Sequence, residues 1–411
     1  MQAILFLGSS QVGAQYTAKA AELLGYRAIF FAKLDDYQGA PRRAIAACEY
    51  YEVSTLNLEA IDRAIVQYDL VDQVVGITSL LDETLHLACA IAQKYSFKGP
   101  DPALVQLVDK TQVNALIPEF CPPSITLQKS NLDNDTLQQF FEDQKAYAHF
   151  ILKPGISSGG VGNHVVEYGI TAEALHDLMA TAPSACDFVV DWTLQPCVAG
   201  ELYSLEGYVT DGALTFLGCS QRLRHKMKEV GNEFPVDARL STEIQAHCKQ
   251  AVTQLVERAQ YQNGYFHCEF LIEGAKAYFI DANMGRIAGG SIVEQIALSY
   301  ESTPDQLLAH VFDLGLFQSA FSQSFRYGSR SMDAMLSIKL TLSDDYDIKQ
   351  INFPAHSSCH TIKLYPSPLS NIAIITGKAC AVLLAVKEVR VQTQHGVIKP
   401  HYCLPGEIVE R

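Results

Sequence analysis

The chain has 411 residues, 48% of them hydrophobic and 18% charged, the balance of a soluble globular protein of two or three domains. A net charge of -14 with no offsetting basic tract argues against nucleic acid as a partner. Residues 1–7 lack the basic flank and cleavage site of a secretory signal, no 18-residue apolar stretch would span a membrane, and eleven scattered cysteines without a CxxC fit a reducing cytoplasm.

The first hundred residues alternate strand and helix. Strands are expected over 3–7, 27–32 and 72–78, and helices over 16–24, 58–68 and 81–95. That rhythm predicts a Rossmann-like parallel sheet with helices on both faces. Gly8 through Gly13 spells GSSQVG rather than G-x-G-x-x-G, so a tight strand-to-helix turn is the better reading than a dinucleotide fingerprint. Asp101-Pro102 looks like an N-cap with proline following, ahead of short helices at 103–108 and 111–117. After a Pro122-Pro123 break come a helix near 136–147, a strand at 149–153, a glycine-rich turn at 155–162 and a strand at 163–168. Strands at 188–194 and 201–210 lead to a two-residue Asp211-Gly212 turn into 213–219. Thr242-x-x-Gln245 resembles a capping box opening a helix to about 261. Two paired strands at 265–272 and 276–283, helices from Ser291 and Pro304, and a strand-like tail after about 324 complete the chain. The expected class is α/β (α+β), divided as an α/β domain at 1–104, a central domain at 105–325 and a small β-rich domain at 326–411.

The paired strands carry the most chemistry. With the turn centred on Ala275, Glu269 faces Asp281 and His267 faces Asn283, while Phe266, Cys268, Phe270 and Ile272 point the other way with Tyr278, Ile280 and Ala282. Two carboxylates held this close repel when partly buried, and a divalent cation relieves the repulsion. Oxygen ligands of this kind suit magnesium bound together with phosphate oxygens. The bland alternative is a solvent-facing polar side. Gly285-Arg286 and Gly289-Gly290 follow at once, adding a cation and flexible backbone beside the acids.

Residues 149–166 read HFILKPGISSGGVGNHVV. Lys153 at the end of an apolar strand, before Ser157, Ser158, Gly159, Gly160 and Gly162, suits a phosphate site built from backbone N–H groups and one ammonium. A strand follows, so the loop is a flap rather than a P-loop. The same stretch satisfies G-x-S-x-G around Ser157, but a nucleophile elbow requires a helix directly afterwards. His356, Cys359 and His360 form a rival zinc motif that lacks a fourth ligand.

Taken together, these motifs and their order resemble the ATP-grasp superfamily over about residues 109–314, most closely the carboxylate–amine ligases that join amino acids. The resemblance implies the ATP-grasp fold, ATP and Mg2+ (or Mn2+) as cofactors, small-molecule carboxylate and amine substrates, and a homodimer. It implies that Lys110 and Lys153 reach the ATP phosphates, that 188–198 lines the adenine with Asp191 or Gln195 near its amine, and that Glu201 holds the ribose. Glu269, Asp281 and Asn283 would hold the metal, with aspartate where glutamate is commoner. Arg286 would hold the transferring phosphoryl group. On the substrate side, Glu229 and Asn232 before Pro235 stand where relatives have glutamate and histidine, and Gly289 and Gly290 lie close by. His267 either assists at the acceptor site or is structural, and Arg222 and Arg330 are candidate carboxylate anchors. The competing expectations are a non-catalytic ATP-binding module and an ATP-grasp enzyme with another acceptor or a carboxyphosphate-type intermediate.

Overall fold

The computed structural model describes residues 1–9, 13–37, 39–53, 55–130, 132–157, 159–183, 189–225, 228–287, 291–342, 346–354, 359–363 and 371–405; of 36, 39–41, 225, 228 and 360–363 it describes the backbone only. Ser158, Gly289, Gly290 and His356 lie outside this set, as does the side chain of His360. Among the described residues no helix is long and apolar enough to cross a membrane.

The N-terminal strands are apolar along their whole length because helices cover both faces of their sheet. The order is Glu49–Tyr51, Arg27–Phe31, Ala3–Leu7, Val74–Thr78, all parallel. Ile4, Phe6 and Phe30 pack against Ala14–Leu23 and against Pro304–Leu316, a helix from much later in the chain. Leu5, Leu7 and Ile29 pack on the opposite face against Leu58–Gln67 and Asp82–Tyr95.

A second, antiparallel sheet runs Ile125–Gln128, Asp191–Pro196, His149–Pro154, His164–Glu167. Trp192, Leu194, Phe150 and Leu152 fill the space between it and the helices Asn134–Asp143 and Ala172–Ala180.

The largest sheet has eight antiparallel strands, and three of them come from the C-terminal part of the chain. Met335–Leu340 pairs with Lys228–Phe234, and Ala373–Lys378 and Cys359–Lys363 follow in order. The β-rich tail therefore extends the central sheet by main-chain hydrogen bonds. The tail also contains an unanticipated helix, Ala379–Glu388, whose buried Val382, Ala385 and Val386 repeat at helical spacing within a run that is apolar almost throughout. At Thr242–Ala259 the cap lies one residue earlier than expected. Ser241 accepts from the Ile244 N–H, and the Gln245 amide instead donates to Asp237 O and Leu240 O.

The paired strands Gly264–Glu273 and Lys276–Met284 keep the expected register at their functional end: His267 opposes Asn283 and Glu269 opposes Asp281. Nearer the turn, a bulge shifts it by one residue, so Phe270 opposes Phe279 and Ile272 opposes Ala277. Phe279 and Ala277 are buried in the core, whereas Ile280 lines the cleft on the other side. This corrects the expected inward set of Tyr278 and Ile280. One extra residue reverses which face each later side chain meets.

Across the interface between Ala14–Leu23 and Ile292–Ser299, the Tyr16 hydroxyl donates to Glu294 Oε1 at 2.8 Å, while Oε2 has no partner among the described residues. Burial raises the Glu294 carboxyl to about 7, and the Tyr16 hydrogen bond only partly opposes the shift. The folded state thus retains a proton that the unfolded chain releases near pH 4.5, and stability falls as pH rises through that window. Urea titrations between pH 4.5 and 8 should show wild type losing roughly 2–3 kcal/mol more than Glu294→Gln. Parallel pH profiles would contradict this assignment.

Candidate functional site

A cleft of about 990 Å³ lies over the polar face of the central sheet, between the flap at 155–162 and the C-terminal strands. Strand alternation decides which residues reach it. On Gly264–Glu273, His267, Glu269 and Leu271 face the cleft while Phe266, Cys268, Phe270 and Ile272 enter the core.

Each carboxylate in the opposed pair has a cation of its own. Glu269 Oε1 is 3.3 Å from Arg222 Nη1, and Asp281 Oδ1 is 3.3 Å from Lys110 Nζ. Burial alone would raise Glu269, but the Arg222 charge overcomes it and holds the carboxyl at about 2. Asp281 is raised, by burial first and by Glu269 opposite, against the pull of Lys110. For Lys110, Asp281 and Asp82 outweigh the lowering effect of burial. Lys153, with neither hydrogen bond nor ion pair among the described residues, is lowered by burial, and neighbouring Lys110 adds to the shift.

His267 is buried beneath the acids. Its Nδ1 lies 2.8 and 2.9 Å from the two oxygens of Glu206, and its Nε2 lies 2.8 Å from Arg222 Nη1. Burial opposes a charged ring and Glu206 favours one. Nε2 also lies 3.2 Å from Glu269 Oε1, and Glu206 with Glu269 outweighs burial and the opposing Arg222 charge, raising the ring to about 9. Ser220 completes the shell of Glu206 at 2.9 Å. His267 therefore stands at the cleft wall as the charge partner of Glu206 and Glu269.

Arg286 is buried and already paired. Its Nε donates to Asp82 Oδ1 at 2.5 Å, its Nη2 to Asp82 Oδ2, and Nη2 also to Asn283 Oδ1 at 2.5 Å. Asn283 in turn donates to His267 O at 3.1 Å. Asp82 was not anticipated. Its only sequence signal is its place just beyond the carboxyl end of a parallel strand, where open α/β sheets bind ligands.

The flap is a strand–loop–strand, with Leu152 paired to His164, so no helix follows Ser157 and the nucleophile-elbow geometry is absent. Ser157 is buried, and its carbonyl accepts from Lys110 Nζ at 2.8 Å. Gly159, Gly160 and Gly162 all have positive φ, a conformation that glycine adopts without a side-chain clash. Gly159 and Gly160 line the cleft; Gly162 does not. At the root of the flap, a Cβ on Gly155 would meet Asp109 Oδ1 at 2.7 Å and Asp191 O at 2.8 Å.

Two nucleotide assignments are corrected. Asp191 does not line the cleft: its carboxylate accepts from Gln128 at 2.6 Å and its carbonyl from the Gly155 N–H at 2.8 Å. Gln195, four residues later, does line it. Glu201 shares a strand face with Tyr203, whose hydroxyl donates to it at 3.0 Å, and points away from the cleft. Its neighbour Leu202 takes the inward position opposite Leu271.

On the substrate side, Glu229 lines the cleft between Arg222 Nε at 2.9 Å and Lys339 Nζ at 2.5 Å. Burial would raise it, but these two cations hold it at about 2. Asn232 is fully buried and outside the cleft, where its amide donates to Glu229 Oε1 at 3.1 Å. Arg330 pairs with Asp237 at 2.9 Å, also outside the cleft. Arg224, Lys339 and Asn371 line the cleft without having been anticipated. Arg224 lies two residues beyond Arg222 on one strand, a spacing that hints at a shared face.

Among the described residues, no three His, Cys, Asp or Glu side chains are grouped as a metal cage. Two opposed carboxylates with an adjacent amide instead match what magnesium accepts when phosphate oxygens supply the remaining ligands. All ten described cysteines are free. Cys197 lines the cleft with its thiol raised by burial, so it is no ready nucleophile.

The fold and this cleft define an ATP-grasp architecture, and residues 147–294 match the ATP-grasp domain family. The chain carries an ATP-grasp domain within an ATP-grasp fold. No curated protein sequence matches the chain. Among solved structures, biotin carboxylase from Campylobacter jejuni superposes with a TM-score of 0.70 at 15% identity, covering 95% of this chain and 92% of that one. An L-amino acid ligase from Bacillus licheniformis gives 0.69 at 14%, covering 95% and 98%. Phosphoribosylglycinamide synthetase from Anaerococcus prevotii gives 0.67 at 14%, covering 95% and 99%. At these identities the likeness establishes the fold.

The Asp82–Arg286 pair ties the N-terminal sheet to the central one, and removing one partner strands a buried charge. Asp82→Ala should cost about 3–5 kcal/mol in urea unfolding. Combined with Arg286→Ala, the loss should fall well short of the sum of the two single losses. Additive losses would mean that the two side chains are not coupled.

Proposed function

We propose that the protein is an ATP-dependent carboxylate–amine ligase forming an amide or peptide bond between small molecules, amino acids among them. The observation that supports this most directly is the opposed pair Glu269 and Asp281 on the cleft wall, flanked by Lys110 and Arg222, with Lys153 and Arg286 lining the same cavity. In this reading, residues 105–325 form the nucleotide and metal unit. Residues 1–104 contribute Asp82 to the cleft, and residues 326–411 contribute Lys339 and Asn371.

Gln195 through Gly200 and Leu202 line the adenosine end, and Lys153, Lys110 and the flap N–H groups hold the phosphates. Glu269 and Asp281, with Asn283, would hold magnesium, which would supply charge neutralisation at the phosphate oxygens. The substrate carboxylate attacks the γ-phosphorus of ATP, forming an acyl phosphate and releasing ADP. The amine then attacks the carbonyl and phosphate leaves. Such transfer depends on positioning and charge neutralisation rather than on a protein nucleophile, in keeping with a cleft rich in cations. Arg286 is held by Asp82, Asn283 and the Ile287 carbonyl, which leaves one N–H, on Nη1, for the transferring phosphoryl. The flap excludes water from the reactive anhydride.

The structural likeness to biotin carboxylase keeps a carboxyphosphate-forming enzyme as a competing reading. One assay separates the two. ADP release should require an amino-acid carboxylate together with an amine, and bicarbonate should not replace the pair. Nucleotide binding without turnover under any pair would instead indicate a non-catalytic module. Glu269→Ala and Asp281→Ala should each abolish the amine-dependent release while retaining the wild-type circular dichroism spectrum. Arg286→Lys should lose most of kcat, because an ammonium cannot reproduce a fork of donors. Normal turnover in these variants would exclude the assigned roles.

A further inference from the structure

The cations and carboxylates around the cleft balance almost completely. Lys110 pairs with Asp281, Arg286 with Asp82, Arg222 with Glu229 and Glu269, and Lys339 with Glu229. Two cleft-lining cations remain, Lys153 and Arg224, and neither makes a hydrogen bond or ion pair among the described residues. Lys153 stands at the root of the flap and serves the nucleotide phosphates in the proposed reaction. Arg224 has no such role. It lies on Ala213–His225, just past a bulge that falls between Leu223 and itself, and its backbone partner is Glu229. The Glu229 carboxylate is meanwhile engaged by Arg222, Lys339 and Asn232, so Arg224 gains no ion pair from it.

Arg224 is half-buried at the cleft wall, and a bound anion would give its guanidinium a partner that the described residues do not supply. A second orphan lines the same cleft: Asn371 Oδ1 is buried and has no hydrogen-bond donor among the described residues. A substrate carboxylate supplies the partner that Arg224 lacks, and a substrate N–H supplies the one that Asn371 lacks.

We propose that Arg224 anchors a substrate carboxylate other than the one that is activated, so that a free carboxylate survives the reaction. The proposal rests on the ligase reading and adds to it a class of substrate. The anchored group belongs either to the amine, as in an α-amino acid acceptor, or to the acid, as in a dicarboxylate.

The test is equilibrium binding to the full chain saturated with magnesium and a non-hydrolysable ATP analogue. The probes are the twenty standard amino acids against their amides, and glutarate against butyrate. In wild type, at least one free-carboxylate probe should bind ~10-fold or more tightly than its counterpart lacking that carboxylate, the loss expected for a charged hydrogen-bonding partner. Arg224→Gln should abolish that preference and retain analogue affinity, and Arg224→Lys should show an intermediate preference. The amide arm identifies the amine as the source, and the glutarate arm identifies the acid. Equal binding of paired probes, no binding by any of them, or a preference that survives Arg224→Gln overturns the proposal. If Arg224→Gln no longer binds the analogue, Arg224→Lys decides: an unchanged preference overturns the proposal, and a reduced one supports it. A carboxylate preference without any ATP turnover would overturn the ligase reading and leave the anchor standing.

Discussion

Two half-buried carboxylates facing each other across adjacent strands impose the constraint from which the rest of the cleft follows. Glu269 and Asp281 repel, and burial raises the cost of keeping both ionised. Each is answered by a cation from a different element: Arg222 from Ala213–His225, two strands away from Glu269 in the sheet, and Lys110 from the helix Lys110–Leu116. Arg222 must itself be held, and Glu229 holds it. Glu229 in turn draws Lys339 from the C-terminal strands. A chain of pairings thus runs from one pair of acids to the C-terminal strands. Removing a middle member would unbalance its neighbours.

The central sheet makes this possible by separating two chemistries onto two faces. Its lower face buries Phe266, Cys268, Phe270 and Phe279 against the helix Thr242–Ala259, while the upper face carries the charged residues. The bulge near Ile280 keeps both faces intact although the strands differ in length by one residue. Toward the open end it preserves the Glu269–Asp281 register, and toward the turn it returns Phe279 to the core. The three C-terminal strands extend the same sheet, which lets Lys339 reach Glu229.

The flap shows how a backbone can be tied down at its root and left open at its tip. At Gly155, main-chain bonds to Asp191 and from Lys110 bring three segments so close that a side chain would collide with two of them. At Gly159 a Cβ would meet nothing within 4 Å, so glycine there serves conformation rather than space. Lys110 joins the two parts of the site, since its ammonium contacts both the Ser157 carbonyl and the Asp281 carboxylate.

Features governed by short-range periodicity were legible in the residues alone. The alternation of strand and helix through residue 100, the facing of Glu269 with Asp281, and the strand after the flap all follow from local spacing, because neighbouring side chains on a strand or helix have fixed relative directions. Position along a strand is where that legibility ends. Glu201 and Leu202 exchange roles on a single step of strand parity, and no residue nearby marks the step. Asp191 is diverted by a glutamine 63 residues away. Asp82, Lys339 and Asn371 belong to the cleft only because distant segments fold over it. Local pattern therefore determined the elements and the paired acids. The tertiary structure alone decided which charges meet, because the Coulomb energy of a buried pair depends on distance through space and not on separation along the chain.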